Sequence, residues 1–240
     1  MNVTDVLGLS FVNGSLLEAV EQGMRAMDER RCAYAVAVDS ELLIAARKSK
    51  RLMVSIRGAE LILPQGSGII YSSHILGTPV KNRISAVDFA SAIMARMSEK
   101  NMRVYVLGTE PELVESACDG ISARYPGIHI AGSDDGFYST EQELVEAINA
   151  ANPDLLLVCY GSPKQEFWMR KFAGKLNCGL MLGFGEGLKI ITGEVERAPK
   201  RWRDAGFEWL YLLIKEPRRF WRMVKRTSLV FTAVWRRLVG

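Results

Sequence analysis

The chain has 240 residues, 48% hydrophobic and 24% charged, with a net charge of +4 at pH 7. That balance suits one sizeable folded domain with a short appendage and excludes collagen-like, disordered and disulfide-scaffold classes. The charge is uneven: Arg197–Gly240 holds 12 Lys and Arg against 3 Asp and Glu, so the first 196 residues are mildly acidic. A basic end on an acidic body points to a polyanionic partner, an anionic membrane surface or a nucleic acid.

Taken in chain order, Met1–Ser15 has neither a basic start nor a long apolar core, so no secretory signal is expected. A helical pattern covers Leu16–Met27, followed by apolar runs of strand length at Ala33–Val38 and Leu61–Leu63. Helix Ala86–Met97, strand Val104–Leu107, helix Pro111–Arg124, strand Ile128–Ala131 and helix Glu141–Asn149 come next. Strand Leu155–Tyr160, helix Glu166–Phe172 and strand Gly179–Phe184 complete the pattern. Near-continuous apolar strands alternating with helices predict an α/β fold, a Rossmann-like parallel sheet flanked by helices. The spacing predicts a domain over 1–195 and a basic helical appendage over 196–240.

Two strand-to-helix turns attract attention. In Gly108-Thr109-Glu110-Pro111, Thr109 is a candidate helix cap. In Gly161-Ser162-Pro163-Lys164-Gln165-Glu166 the order is again strand, glycine, cap and proline. Ligands of open parallel sheets sit at the carboxyl ends of strands, where helix N-termini suit a pyrophosphate. Neither turn is a dinucleotide fingerprint or a P-loop, which sets aside a dinucleotide-dependent oxidoreductase.

Cys32, Cys118, Cys159 and Cys178 are far apart, and with only His74 and His129 beside them no zinc spacing results. Buried free thiols in a reducing cytoplasm are the expectation. No run of 18 apolar residues suggests a spanning helix. In the appendage Arg219, Arg222 and Arg226 form one helical stripe, while Phe220, Val224, Phe231 and Trp235 fall on another face. That pattern fits an in-plane helix on an anionic membrane, with Pro217 breaking the segment. A nucleic-acid partner is not expected.

The run Gly161-Ser162-Pro163-Lys164-Gln165-Glu166-Phe167-Trp168 resembles the G-x-P-K-Q-E-x-W signature of the WecG/TagA/CpsF glycosyltransferase family. Tyr125-Pro126-Gly127 and the stretch from Gly132 through Asp134, Asp135 and Gly136 to Tyr138 resemble its Y-P-G…G-x-x-D-G-Y-F. The segment from Gly193 to Arg197-Ala198-Pro199 resembles G-x-x-x-R-A-P, and Glu208-Trp209-Leu210-Tyr211 and Glu216-Pro217-Arg218-Arg219 resemble its end. In the first half, Leu63-Pro64-Gln65-Gly66-Ser67-Gly68 and Arg83-Ile84-Ser85-Ala86-Val87-Asp88 stand where the family has L-P-D-G-x-G and R-V-x-G-x-D.

The resemblance implies inverting, metal-independent transfer of an N-acetylmannosamine-type sugar from a UDP-sugar donor to a polyprenyl-diphosphate-linked acceptor. It implies no cofactor, and a cytoplasmic protein peripheral on the inner face of the bacterial cell membrane, serving cell-surface polysaccharide synthesis. It assigns substrate binding to Arg83, Asp88, Gly108, Gly136, Gly161, Lys164, Gln165, Glu166 and Arg197, and leaving-group or membrane contact to Arg218, Arg219 and Arg222. Self-association or a partner glycosyltransferase is also open.

The chain departs from the pattern where chemistry is most demanding. The aspartate of L-P-D-G, the family's base, is Gln65, and a glutamine amide takes no proton at neutral pH. The T-x-N after the first strand is Ala37-Val38-Asp39, the F-D before the last motif is Leu188-Lys189, and the arginine of Y-R-L is Leu212. Two expectations follow. Either the site is rewired, with Asp39 as base and Glu186 as a further acid or base, or the chain is an inactive partner of an active glycosyltransferase.

Overall fold

The computed structural model describes residues 2–108, 110–136, 140–185, 187–199 and 201–202. Residues 203–240, the greater part of the expected appendage with Arg218, Arg219 and Arg222, lie outside the described residues, as do Thr109 and Glu186. The described part opens with strands β1 (Val3–Val6) and β2 (Leu9–Val12), helix α1 (Leu16–Asp28) and strand β3 (Ala33–Val38). Helices α2 (Ser40–Lys48) and α3 (Lys50–Arg57), strand β4 (Leu61–Pro64), and helices α4 (Ser67–Ile75) and α5 (Ala86–Glu99) follow. Next are β5 (Arg103–Leu107), α6 (Pro111–Arg124), β6 (His129–Asp134), α7 (Glu141–Ala151) and β7 (Leu155–Val158). Helix α8 (Lys164–Phe172), strand β8 (Leu180–Gly183) and the short α9 (Gly187–Ile191) come last.

Six strands pair in the order β4-β3-β8-β7-β5-β6, all parallel, and β1 with β2 forms a separate antiparallel hairpin. The expected Rossmann-like sheet is therefore present. Alternate residues of each strand serve opposite cores, as the period-2 geometry requires. Leu155, Leu157, Leu180 and Leu182 pack with α1, α5 and α6, through side chains such as Met24, Phe89, Ile93 and Ile121. Leu156, Val158 and Met181 face the other way, against Leu43, Ile56, Ile148, Met169 and Phe172 of α2, α3, α7 and α8. All four β7 side chains are buried, each worth about 1.5–3 kcal/mol of apolar burial, which is why this strand is apolar at every position.

Helix starts follow their local chemistry in some places and not in others. Ser15 accepts from the Glu18 N–H while Glu18 reaches back to the Ser15 N–H, a reciprocal box that sets the start of α1. Thr140 and Glu143 do the same for α7. The expected cap at Thr109 is not the one used: Glu110 is the N-cap of α6, without a side-chain cap bond, and Pro111 supplies the preset first-turn φ. Nor does Ser162 cap α8. The N-cap there is Pro163, the helix begins at Lys164, and the Ser162 hydroxyl donates to Glu166 instead.

The hairpin and α2, α3 and α4 went unanticipated. Ser49 ends α2 and caps α3, so two helices of 9 and 8 residues replace one readable period. Helix α4, SGIIYSSHI, has no clear apolar stripe to read.

Candidate functional site

The connection from β5 runs outward through α6 to β6, while that from β7 returns through α8 to β8. The carboxyl ends of these neighbouring strands therefore part, which opens a crevice at a topological switch point. Gly108 follows β5 and Tyr160-Gly161 follow β7, so both turns singled out in the sequence meet there. Gly108 (φ +81°) and Gly136 (φ +82°) both lie against the Tyr160 ring, where an added Cβ would stand 2.6 and 2.4 Å from ring atoms. Glycine at these positions allows a tyrosine to pack between the two loops. Burial, aided by the Asp134 charge, pushes the Tyr160 phenol up to about 12, so it stays protonated at neutral pH. The space over Gly161 (φ +73°) is open for 4 Å around an added Cβ.

The first turn of α8 points its acidic and amide side chains inward. Gln165 is 7% exposed and Glu166 fully buried. Glu166 Oε1 accepts from the Ser162 hydroxyl at 2.8 Å and from Gln165 Nε2 at 3.0 Å. Gln165 Oε1 and Glu166 Oε2 are buried and have no hydrogen-bond partner among the described residues. Burial raises the Glu166 carboxyl above the usual carboxylate range, opposed by its hydrogen bonds and helped by the charge on Asp39. Between about 4.5 and that raised value the folded chain keeps a proton that the unfolded chain has lost, so stability falls as pH rises through this window. Glu166→Gln removes the titration. Its melting temperature is expected to fall less than the parent's between about pH 5 and about pH 8; parallel declines would clear Glu166 of this role.

Asp39 and Gln65 sit side by side because β3 and β4 pair in register, Val38 opposite Pro64, and each residue follows directly. Gly66 packs on Asp39, its Cβ direction ending 3.3 Å from the Asp39 Cβ. The order β4-β3-β8-β7 thus lines up Gln65, Asp39, Gly185 and Gly161 along the strand ends. Asp39 is half-exposed and is the N-cap of α2, with Oδ1 accepting from the Leu42 N–H at 2.9 Å. Gln65 Oε1 accepts from the Ala86 N–H at 3.0 Å, satisfying a free donor at the start of α5.

Two residues assigned to substrate hold each other. Arg197 binds Asp88 through two contacts of 2.8 and 3.2 Å and also reaches the Ser85 hydroxyl at 3.3 Å. Ser85 in turn caps α5 by accepting from the Asp88 N–H. This cluster ties the R-A-P segment to the helix start that Gln65 also serves. Arg83, half-buried, lies two residues before that cap, and Lys164 is exposed at the start of α8. Leu188, one of the departures, is buried in the core with α6 rather than lining the strand ends. Sequence reasoning missed Ser162, Tyr160 and Ser85 as site-builders. Only Ser85 carried a local signal, in its S-x-x-D spacing.

All four cysteines are free; Cys32, Cys159 and Cys178 are buried and Cys118 partly so. Cys32 and Cys178 approach to 3.4 Å before the first residues of β3 and β8, at the sheet end away from this site. Among the described residues no helix is long and apolar enough to cross a membrane.

Three relatives share the printed name N-acetylglucosaminyldiphosphoundecaprenol N-acetyl-beta-D-mannosaminyltransferase. The one from Bacillus spizizenii is 28% identical over 225 residues, covering 93% of this chain and 88% of its own length. That from Bacillus subtilis is 26% identical over 235 residues, 98% of this chain and 92% of its own. One from Staphylococcus aureus is 28% identical over 222 residues, 91% and 87%. The pattern of one glycosyl transferase family matches residues 4–240, hairpin, sheet and basic end together, and the chain belongs to that WecG/TagA/CpsF family.

Proposed function

We propose that this protein transfers an N-acetylmannosamine-type sugar, with inversion and without a metal, from a UDP-sugar to a polyprenyl-diphosphate-linked sugar on the inner face of the cell membrane. The observation that carries the reading is the pair of orphaned acceptors, Gln165 Oε1 and Glu166 Oε2, on a helix start whose carboxylate is close enough to Asp39 to feel its charge. Buried acceptors call for donors, and a sugar's hydroxyl and acetamido N–H groups are donors of the right kind. The half-exposed Asp39 carboxylate then takes the acceptor hydroxyl's proton as that oxygen attacks the anomeric carbon. The departing diphosphate is met by the α8 N-terminus, Lys164 and arginines, since positive ends and N–H groups stabilise developing anionic charge.

A second reading, an inactive partner of another glycosyltransferase, is favoured by one observation. Asp39 and Gln65 both spend their side chains capping helices, at Leu42 and Ala86. Calorimetric titration with UDP and UDP-N-acetyl sugars, followed by a UDP-release assay on a lipid-diphosphate-linked N-acetylglucosamine, separates the two. Binding with turnover is the expected result. Binding without turnover favours the inactive partner, and no binding overturns a nucleotide-sugar site altogether.

A further inference from the structure

Helices α3 and α8 enclose an open groove on the side of α8 away from Gln165 and Glu166. Its lining is one-sided in charge: Lys50, Arg51, Lys164, Arg170 and Lys171, with no Asp or Glu, around Val54, Phe167 and Trp168. This is out of character for its surroundings. The first 196 residues hold more acids than bases, yet five bases and no acid gather here. All five are exposed, and Val54 is 54% exposed between them. Among ion pairs between described residues only one involves the five, Lys171 with Glu141 at the rim. Arg47 and Lys48, both exposed, are the basic residues of the last turn of α2, just before Lys50 in the chain.

We propose that this groove is a membrane-docking face, which rests the α/β body on anionic phospholipid headgroups. Charge complementarity identifies the partner: clustered Lys and Arg around an apolar strip is what an interfacial contact with acidic lipid requires. The chain's own end is itself basic, 12 Lys and Arg against 3 Asp and Glu from Arg197 to Gly240, so its charge does not complement the groove. Single-stranded nucleic acid needs open ring faces for base stacking. Here the Arg51 guanidinium covers Phe167 at 4.4 Å, and Trp168 leans on Phe172 with ring centres 4.7 Å apart. The groove is also continuous with the candidate site. Lys164 belongs to both, and Trp168 meets Tyr160 edge-on at 6.0 Å. A basic tail alone would tether the protein to a bilayer without orienting it. A second contact on the rigid body sets which way the strand ends face, and a lipid-borne acceptor gives that orientation its use.

The docking stands on the geometry and borrows only its purpose from the proposed function, so the test uses no substrate. The full chain and its K50E/R51E variant are sedimented with phosphatidylcholine vesicles containing about a third phosphatidylglycerol, and with phosphatidylcholine alone. Two reversals near a headgroup layer are expected to weaken partitioning to the acidic vesicles by about 25-fold or more, with melting temperature unchanged. Partitioning within about 2-fold of the parent overturns the proposal. So does a parent dimer that K50E/R51E splits, which would make the groove an interface between two copies. Should the loss of Arg51 from Phe167 unfold the protein, K50E/R170E carries the same expectation and the same refutation.

Discussion

Asp39→Asn is expected to slow UDP release in the presence of a lipid-diphosphate-linked acceptor by roughly 100-fold or more, with UDP affinity unchanged. The substitution is informative because of what Asp39 also does. Its Oδ1 holds the Leu42 N–H as the N-cap of α2, in extended backbone geometry. Asparagine caps as well as aspartate, so helix and fold are preserved while the proton acceptor is removed. Asp39→Ala would confuse the two roles, costing about 1 kcal/mol of cap energy along with the carboxylate. A turnover rate unaffected by Asp39→Asn removes Asp39 as base.

Placing Gln65→Asp on the Asp39→Asn background is expected to restore at least about 10-fold of the lost turnover. Val38 opposite Pro64 puts the two positions at neighbouring strand ends, so the exchange moves a carboxylate across one strand spacing without changing the charge of the site. The new aspartate is one methylene too short to keep the Gln65 bond to the Ala86 N–H. That loss is about 1 kcal/mol, and Ser85 still caps α5 through the Asp88 N–H. A double variant that folds, binds UDP and remains as slow as Asp39→Asn alone would show that the positions do not share the base role. The inactive-partner reading would then gain.

The lone Gln65→Asp variant places a second carboxylate beside Asp39, near the already disfavoured charge of Glu166. Three carboxylates at adjoining strand ends repel one another and raise each other's proton affinity. This is a physical reason for the amide and carboxylate to exchange as a pair if they exchange at all.

Much of the fold was legible along the chain. Leu155–Val158 and Leu180–Gly183 are buried on both faces and so are apolar at every step, a signal that no loop imitates. Helices α1, α5, α6 and α7 carry one apolar stripe each and were located to within a few residues. Where the signal failed, the elements were short or one-sided. The β1–β2 hairpin has 4 residues per strand, and α2 and α3 break at Ser49. The start of α8 was misread because Ser162 looks like a cap locally, whereas its hydroxyl goes to a carboxylate one turn on.

By itself the sequence determined the class of fold, the two turns that meet at the switch point, the family motifs and the glutamine, Gln65, that stands in place of the motif's aspartate. It also showed a basic end on an acidic body. Only the tertiary structure decided which of these residues touch. Asp88 and Arg197, 109 positions apart, bind each other, and Tyr160 packs between Gly108 and Gly136. Glu166 feels the Asp39 charge because β3, β8 and β7 are neighbours in the sheet. Hydrophobic periodicity reports which face of an element is buried but not which element lies next to it. Strand order is settled by how the helices pack on the two faces, and the site is a product of that order.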